Sequence, residues 1–276
     1  MRSPSLTAIG RRAGDLRRDR HRRWVRLAIL AAISLTGISP SIAQTPLIEQ
    51  QLVTDASRDS AFDSVCHILI KRRILFVPAG AWTGTAVLYK GRYLLTAGHN
   101  VYQDRSSIAS ISVRCGAAEP AGLPVHEVVA NWQMLDATGY TGKGFARDFG
   151  VIRLNRPLAV RQPFALSETA PALGAPLRFA GYPGEGETYH IPLHDGWHLH
   201  SAKGRANAIE PSILSYDIRT FKSNSGGPVW TEVNGVPNLV AIHVQPSAGR
   251  LVDVDYVAEV GRLMDKLDKR AAARGF

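Results

Sequence analysis

From Val65 onward the chain is a succession of short β-rich runs cut by turn residues, and few folds accommodate that pattern. Runs over 65–70, 85–89, 93–96, 111–114, 125–130 and 149–154 are rich in branched and aromatic side chains. Lys90-Gly91-Arg92 lies between two of them and reads as a hairpin turn. A stretch with Pro157, Pro163, Pro171 and Pro176 loosens the pattern and reads as a linker. Further runs follow over 177–180, 213–217, 228–231 and 239–244. Many short strands without intervening helices point to an all-β barrel or sandwich. The end differs: Val257, Val260, Leu263, Met264 and Leu267 recur at helical spacing, which predicts an amphipathic helix over 254–270.

The formal charge of +10 suggests a nucleic-acid partner until its location is considered. Of the 33 basic and 23 acidic residues, nine arginines and two aspartates lie in residues 1–43. The remainder carries 24 and 21, a net of +3, with no basic stripe interleaved with aromatics. No nucleic-acid partner is expected. Residues 1–43 have the parts of a secretory signal: an Arg-rich start, an apolar run from Leu27 to Ile38, and Ser41-Ile42-Ala43 before the cut. The apolar run has 12 residues, short of the roughly 20 a membrane span needs. The alternative is an uncleaved anchor. Residues 44–55 read as an N-terminal segment or short propeptide. A secreted or periplasmic location follows, with no stable membrane span after cleavage. Cys66 and Cys115 are the two cysteines, and an even count in an exported chain predicts one disulfide, with two buried thiols as the alternative.

Three motifs carry chemistry. Ser225 sits in Ser223-Asn224-Ser225-Gly226-Gly227-Pro228. A serine hydroxyl needs a base within reach and a tight turn to present it, and the glycines allow close approach of backbone and substrate. Backbone N–H groups at the same turn can hold a developing oxyanion. His99 ends the apolar run of Leu94-Leu95-Thr96-Ala97-Gly98-His99, and an imidazole is the natural base for a serine. Asp148 opens Asp148-Phe149-Gly150-Val151-Ile152, where a carboxylate can fix the imidazole tautomer. Each alone would be a turn, a structural histidine or a strand cap. Their order, His then Asp then Ser, is the chymotrypsin order.

On these residues the chain resembles the trypsin-like serine peptidases, and among them the bacterial glutamyl endopeptidases, over roughly residues 65–270. The nearer likeness rests on Gly181-Tyr182-Pro183-Gly184, on Tyr216-Asp217-Ile218-Arg219-Thr220-Phe221-Lys222-Ser223-Asn224-Ser225, and on Ile242-His243. The resemblance implies two packed antiparallel six-stranded β-barrels with a C-terminal helix. The first barrel, about 56–160, would carry His99 and Asp148. The second, from 161 to about 255 with the helix completing the chain to 276, would carry Ser225. It implies an oxyanion hole from the N–H groups of Ser223 and Ser225, and an S1 pocket in which Thr220 and His243 bind a glutamate carboxylate. Both side chains can donate to such a group. It implies no metal or organic cofactor, protein or peptide substrates, and a monomer. Asn224 stands where pancreatic-type peptidases carry the aspartate that pairs with a new N-terminus, so maturation without that ion pair is implied.

Two departures stand out. Ser223 replaces a glycine, at a position expected to need unusual backbone angles: it either holds the hole open under strain or lets the peptide flip. Pro246, in Val244-Gln245-Pro246-Ser247-Ala248-Gly249, has no N–H to offer a substrate backbone. The spacing of His190, His194, His198 and His200 suggests a zinc site as one alternative, but no HExxH motif is present and Pro192 and Gly196 break any helix that would align them, so they read as surface loop and strand histidines. The expected function is a secreted serine endopeptidase preferring Glu at P1. The alternatives are a same-fold peptidase with another S1 preference, or a catalytically weak peptide-binding envelope protein.

Overall fold

Ten short strands and a long helix were read from the pattern; fourteen strands are found among the described residues, and the four additional ones all belong to the second sheet. The structure, a computed structural model, describes residues 46–55, 59–101, 107–116, 123–130, 145–154, 156–159, 162–185 and 193–275. The leader predicted over 1–43 and His190 lie outside the described residues.

The first barrel is a closed antiparallel ring of six strands: β2 (Val65–Ile74), β3 (Val77–Tyr89), β4 (Tyr93–Thr96), β7 (Gly150–Leu154), β6 (Leu123–Ala130) and β5 (Ser107–Cys115). The β3–β4 hairpin turns at Lys90 and Gly91, both at positive φ (49° and 65°), the left-handed pair that a tight hairpin requires. Cys66 and Cys115 face each other across β2 and β5 and form a disulfide.

The second body is a curled sheet. β9 (Pro176–Gly181) pairs β10 (His200–Glu210), then β11 (Ile213–Tyr216), β14 (Ala248–Leu251), β13 (Val236–Gln245) and β12 (Pro228–Val233), which pairs β9 again. The short β1 (Gln51–Leu52) adds to β10, and β8 (Ala165–Leu166), in the proline-rich stretch read as a linker, runs parallel to β13. The fold is therefore chymotrypsin-like.

β10 was not anticipated, and its composition explains why. It alternates buried and exposed positions, but Ala202, Gly204 and Ala206 are the inward ones. A Cβ on Gly204 would stand 2.3 Å from the Asp217 carboxylate and 2.5 Å from Ile218. Small residues are required there, so the large apolar alternation that signals a strand is missing.

Ile68, Leu88, Leu94 and Ile152 belong to the core of the first barrel, and Phe179, Tyr216, Val229 and Val240 to that of the second. A third cluster, with Val65, Leu95, Tyr182, Trp230 and Tyr256, joins both barrels and the C-terminal helix. That helix, α2 (Val254–Ala273; α1 is the single turn Gly98–Val101), buries Val260, Leu263, Met264 and Leu267 of the stripe expected from spacing, together with Tyr256 and Ala271, while Val257 is only half-buried. Asp253 caps it by accepting from Tyr256 N. Asp268 fastens it to the first barrel through Tyr93 Oη (2.5 Å) and Arg153 Nε (2.9 Å).

Candidate active site

α1 begins where β4 ends, and it carries His99. Gly98 must be glycine: a Cβ there would lie 2.9 Å from the Phe149 backbone and 3.0 Å from the Asp148 carboxylate. This close approach lets Asp148, fully buried two residues before β7, take two bonds from one residue. Its Oδ1 accepts from His99 N at 2.7 Å, and its Oδ2 lies 2.6 Å from His99 Nδ1. A buried carboxylate there is an acceptor, so Nδ1 carries the proton and Nε2 is left as the basic nitrogen.

Ser225 is supplied by the turn before β12 and is fixed from both barrels. Its carbonyl accepts from Thr85 N (2.9 Å) and from Asn100 Nδ2 (2.8 Å), both in the first barrel. Gly226 N donates to His243 O at 2.8 Å, and His243 N to Gly227 O at 2.8 Å. Gly226 sits at φ +91°, and a Cβ there would fall 1.9 Å from Thr85 O. Gly226 is thus the point of closest approach to the first barrel, whereas Gly227 faces Ala180 and Phe179 of its own sheet.

Ser223 has φ +67°, the left-handed conformation that favours glycine. Three bonds hold it there. Its carbonyl accepts from Thr85 Oγ1 at 2.8 Å, and its hydroxyl lies 2.7 Å from Thr83 Oγ1. The preceding carbonyl, Lys222 O, accepts from Gly184 N at 2.7 Å. In a trans peptide the N–H points opposite to the C=O, so Ser223 N–H is directed away from Gly184. Among the described residues, no hydrogen bond from the N–H of Ser223 or Ser225 is present. Of the two outcomes expected for Ser223, the structure adopts the strained and anchored one.

A pocket of about 330 Å³ opens beside Ser225 and brings Thr220 and His243 together. Arg219, Lys222, Glu185 and the Val244–Pro246 segment complete its wall. His243 is buried, edge-on to Phe179, and its Nδ1 lies 2.5 Å from the Tyr216 hydroxyl. Burial, aided by repulsion from His99, lowers its pKa to about 3, so the ring is neutral. The Tyr216 hydroxyl is the side-chain partner of Nδ1, and the ring makes a further hydrogen bond with the Ala248 backbone. Thr220 Oγ1 accepts from Ser247 N at 3.0 Å, and its own hydrogen remains to be donated. Arg219 pairs with Glu49 (2.8 Å) and Lys222 with Glu185, so both cations of the wall have in-chain partners.

Pro246 is not a ladder position. It and Ser247 (φ 53°) form the two-residue turn between β13 and β14, bracketed by the pair Gln245 and Ala248. The expectation of surface histidines needs correction. His194 and His200 are both 3% exposed and meet edge to face at 4.5 Å. His194 also packs on Phe221, a pocket residue, at 4.6 Å. Desolvation keeps both neutral, with His200 lowered to about 4. Among the described residues no three His, Cys, Asp or Glu side chains converge as metal ligands.

Thr83, Thr85, Asn100 and Tyr216 shape this site and were not singled out from sequence. Tyr216 opens the quoted Tyr-Asp-x-x-Thr run, which was a usable signal; the other three carried none.

A family model described as the trypsin-like peptidase domain matches residues 84–242. No curated protein matches the chain significantly. Among solved structures, a Glu endopeptidase in complex with MPD aligns with a TM-score of 0.58 at 16% identity, over 79% of this chain and 97% of that one. A scabies mite inactivated protease paralogue, S-I1, aligns at 0.55 and 15% identity, over 75% and 97%. At such identities these likenesses speak for the fold. That fold, with a family match over more than half its length, means that the chain belongs to the trypsin-like serine peptidases.

Proposed function

We propose that the protein is a secreted serine endopeptidase that cleaves peptide bonds after acidic residues, glutamate foremost. The observation that carries this reading is the 2.6 Å contact of His99 Nδ1 with buried Asp148, beside a pocket that Ser225 shares with Thr220 and His243. Ser225 Oγ attacks the peptide carbonyl while His99 Nε2 takes its proton. The imidazolium, held by Asp148, then protonates the leaving amine. Water, deprotonated by the same imidazole, releases the acyl group and restores Ser225. The developing oxyanion is received by Ser223 N–H and Ser225 N–H, whose turn is anchored before substrate arrives.

The P1 preference rests on donor type. The pocket wall holds the Thr220 hydroxyl and the neutral His243 imidazole, while its two cations, Arg219 and Lys222, already face Glu49 and Glu185. A carboxylate entering it takes its hydrogen bonds from the Thr220 hydroxyl and the His243 ring. Export is supported by the Cys66–Cys115 disulfide, a bond that persists in oxidising compartments.

Cleavage-site mapping on a peptide library tests the proposal, using the chain and its Ser225→Ala variant. Cuts after Glu that vanish in the variant are expected. Cuts that persist in Ser225→Ala would remove the nucleophile assignment, and cuts indifferent to P1 charge would remove the pocket assignment.

A further inference from the structure

Residues 47–53 lie where a removable propeptide would be easiest to lose, yet they are hydrogen-bonded to the segment that carries Arg219 into the pocket wall. Ile48 bridges Ile218 in parallel: Ile48 N donates to Asp217 O at 2.6 Å, and Arg219 N donates to Ile48 O at 2.9 Å. Downstream, β1 pairs His200 and Ser201 of β10, and Val53 N donates to Leu199 O at 2.9 Å. The segment thus spans the strand leading into the nucleophile loop and the neighbouring β10.

Between these anchors Gln50 turns inward, 8% exposed. Its Nε2 donates to Arg219 O at 2.8 Å and to Asn224 Oδ1 at 2.7 Å. Asn224 is fully buried and immediately precedes Ser225. The same Oδ1 accepts from Phe221 N at 2.9 Å, and Asn224 N donates to Phe221 O at 3.2 Å. One side-chain oxygen therefore gathers the loop 221–224 into a turn, and Gln50 is the side chain that holds that oxygen from outside the loop. The pair is a poor device for stability alone, since Gln50 Oε1 and Asn224 Nδ2 are buried without partners. Such a half-satisfied pair makes sense where it fixes one conformation of a loop rather than maximising stability.

We propose that residues 47–53 are a permanent strap of the mature enzyme, and that Gln50 is a positioning residue for Ser225 acting through Asn224. A neutral amide pair then does, without any cleavage event, what holds the nucleophile turn and the Arg219–Phe221 wall in register. The loop is organised as soon as the chain folds, and removal of the strap would slacken it. This inference rests on the peptidase reading for its kinetic consequence but not for its structural one.

The test uses the full chain and two readouts. Gln50→Ala removes both donated bonds, and Gln50→Glu keeps the size while placing an acceptor against two acceptors. Both are expected to lower kcat on a cleaved peptide about tenfold or more, with a smaller change in KM. Both are expected to raise amide hydrogen exchange over 219–226, with exchange in β2–β5 unchanged. The double variant Gln50→Lys/Asn224→Asp restores a donor on an acceptor across the same gap. It is expected to recover exchange protection and most of kcat. A folded Gln50→Glu with wild-type kcat and unchanged exchange over 219–226 overturns the strap, as does a double variant that recovers neither. Should Gln50→Ala not fold, Gln50→Glu and the double variant carry the same comparison. If the unaltered chain neither cleaves peptides nor takes up a serine-directed phosphonate, the peptidase reading fails. Exchange over 219–226 still judges the strap in that case.

Discussion

Thr85→Val isolates the bond by which one barrel holds the oxyanion turn of the other. Thr85 is fully buried; its Oγ1 donates to Ser223 O at 2.8 Å and accepts from Tyr182 N at 3.0 Å. Valine has nearly the same shape, so no cavity opens and the effect is electrostatic. The Tyr182 N–H is then buried with its side-chain acceptor gone, which costs about 1–3 kcal/mol, and the partly exposed Ser223 carbonyl loses a bond worth about 1 kcal/mol. The added apolar methyl returns about 1 kcal/mol. The net is a destabilisation of roughly 1–3 kcal/mol, or about 2–12 °C in Tm for a chain of this size. Ser223 also loses the bond that offsets its left-handed backbone, whose strain is of order 1–2 kcal/mol. The 222–223 peptide is then free to reorient, and kcat should fall by about tenfold or more while KM changes little. Urea denaturation at constant slope measures the first effect and steady-state kinetics the second. Thr85→Ser, which keeps both bonds, should stay within about 1 kcal/mol of wild type. A Thr85→Val protein less than about 0.5 kcal/mol destabilised, or a Thr85→Ser protein equally impaired, would falsify the argument.

Three further outcomes follow from the same contacts. Burial lowers His67 from 6.5 to about 4, with Arg114 repulsion adding to it, and His200 likewise to about 4. The unfolded chain therefore binds more protons between those values, so stability is complete above pH 6.5 and is lost as pH falls toward 4. His67 alone accounts for about 3 kcal/mol, and a urea midpoint unchanged between pH 7 and 4.5 would contradict it. Gly226→Ala puts a Cβ 1.9 Å from Thr85 O and 2.1 Å from Thr96 Oγ1 at φ +91°; a loss of about 3 kcal/mol or more, with phosphonate labelling abolished, is expected. Tyr216→Phe strips His243 Nδ1 of its hydroxyl partner; kcat/KM for P1 Glu should drop about tenfold relative to P1 Gln, and an unchanged ratio would count against His243 as the reader of P1 charge.

Local chemistry made a good part of the molecule legible before any coordinates. Turn residues and branched side chains marked the β3–β4 hairpin, helical spacing marked α2, and the motifs around His99, Asp148 and Ser225 stood out by residue type and order. These signals survive in a one-dimensional string because they depend on neighbours within a few residues. β10 was invisible because its inward face is built of Ala202, Gly204 and Ala206, chosen by what lies across from them. The same holds at the site. The 2.6 Å His99–Asp148 contact spans 49 residues of sequence, Thr85–Ser223 spans 138, and Gln50–Asn224 spans 174. The amino-acid string specified which groups could do acyl-transfer chemistry and in what order they occur. The packing of two barrels set where those groups meet, that His243 is buried and neutral, and how Ser223 tolerates a backbone suited to glycine. Such properties come from contacts made only when distant segments are brought within about 3 Å, and no local pattern encodes them.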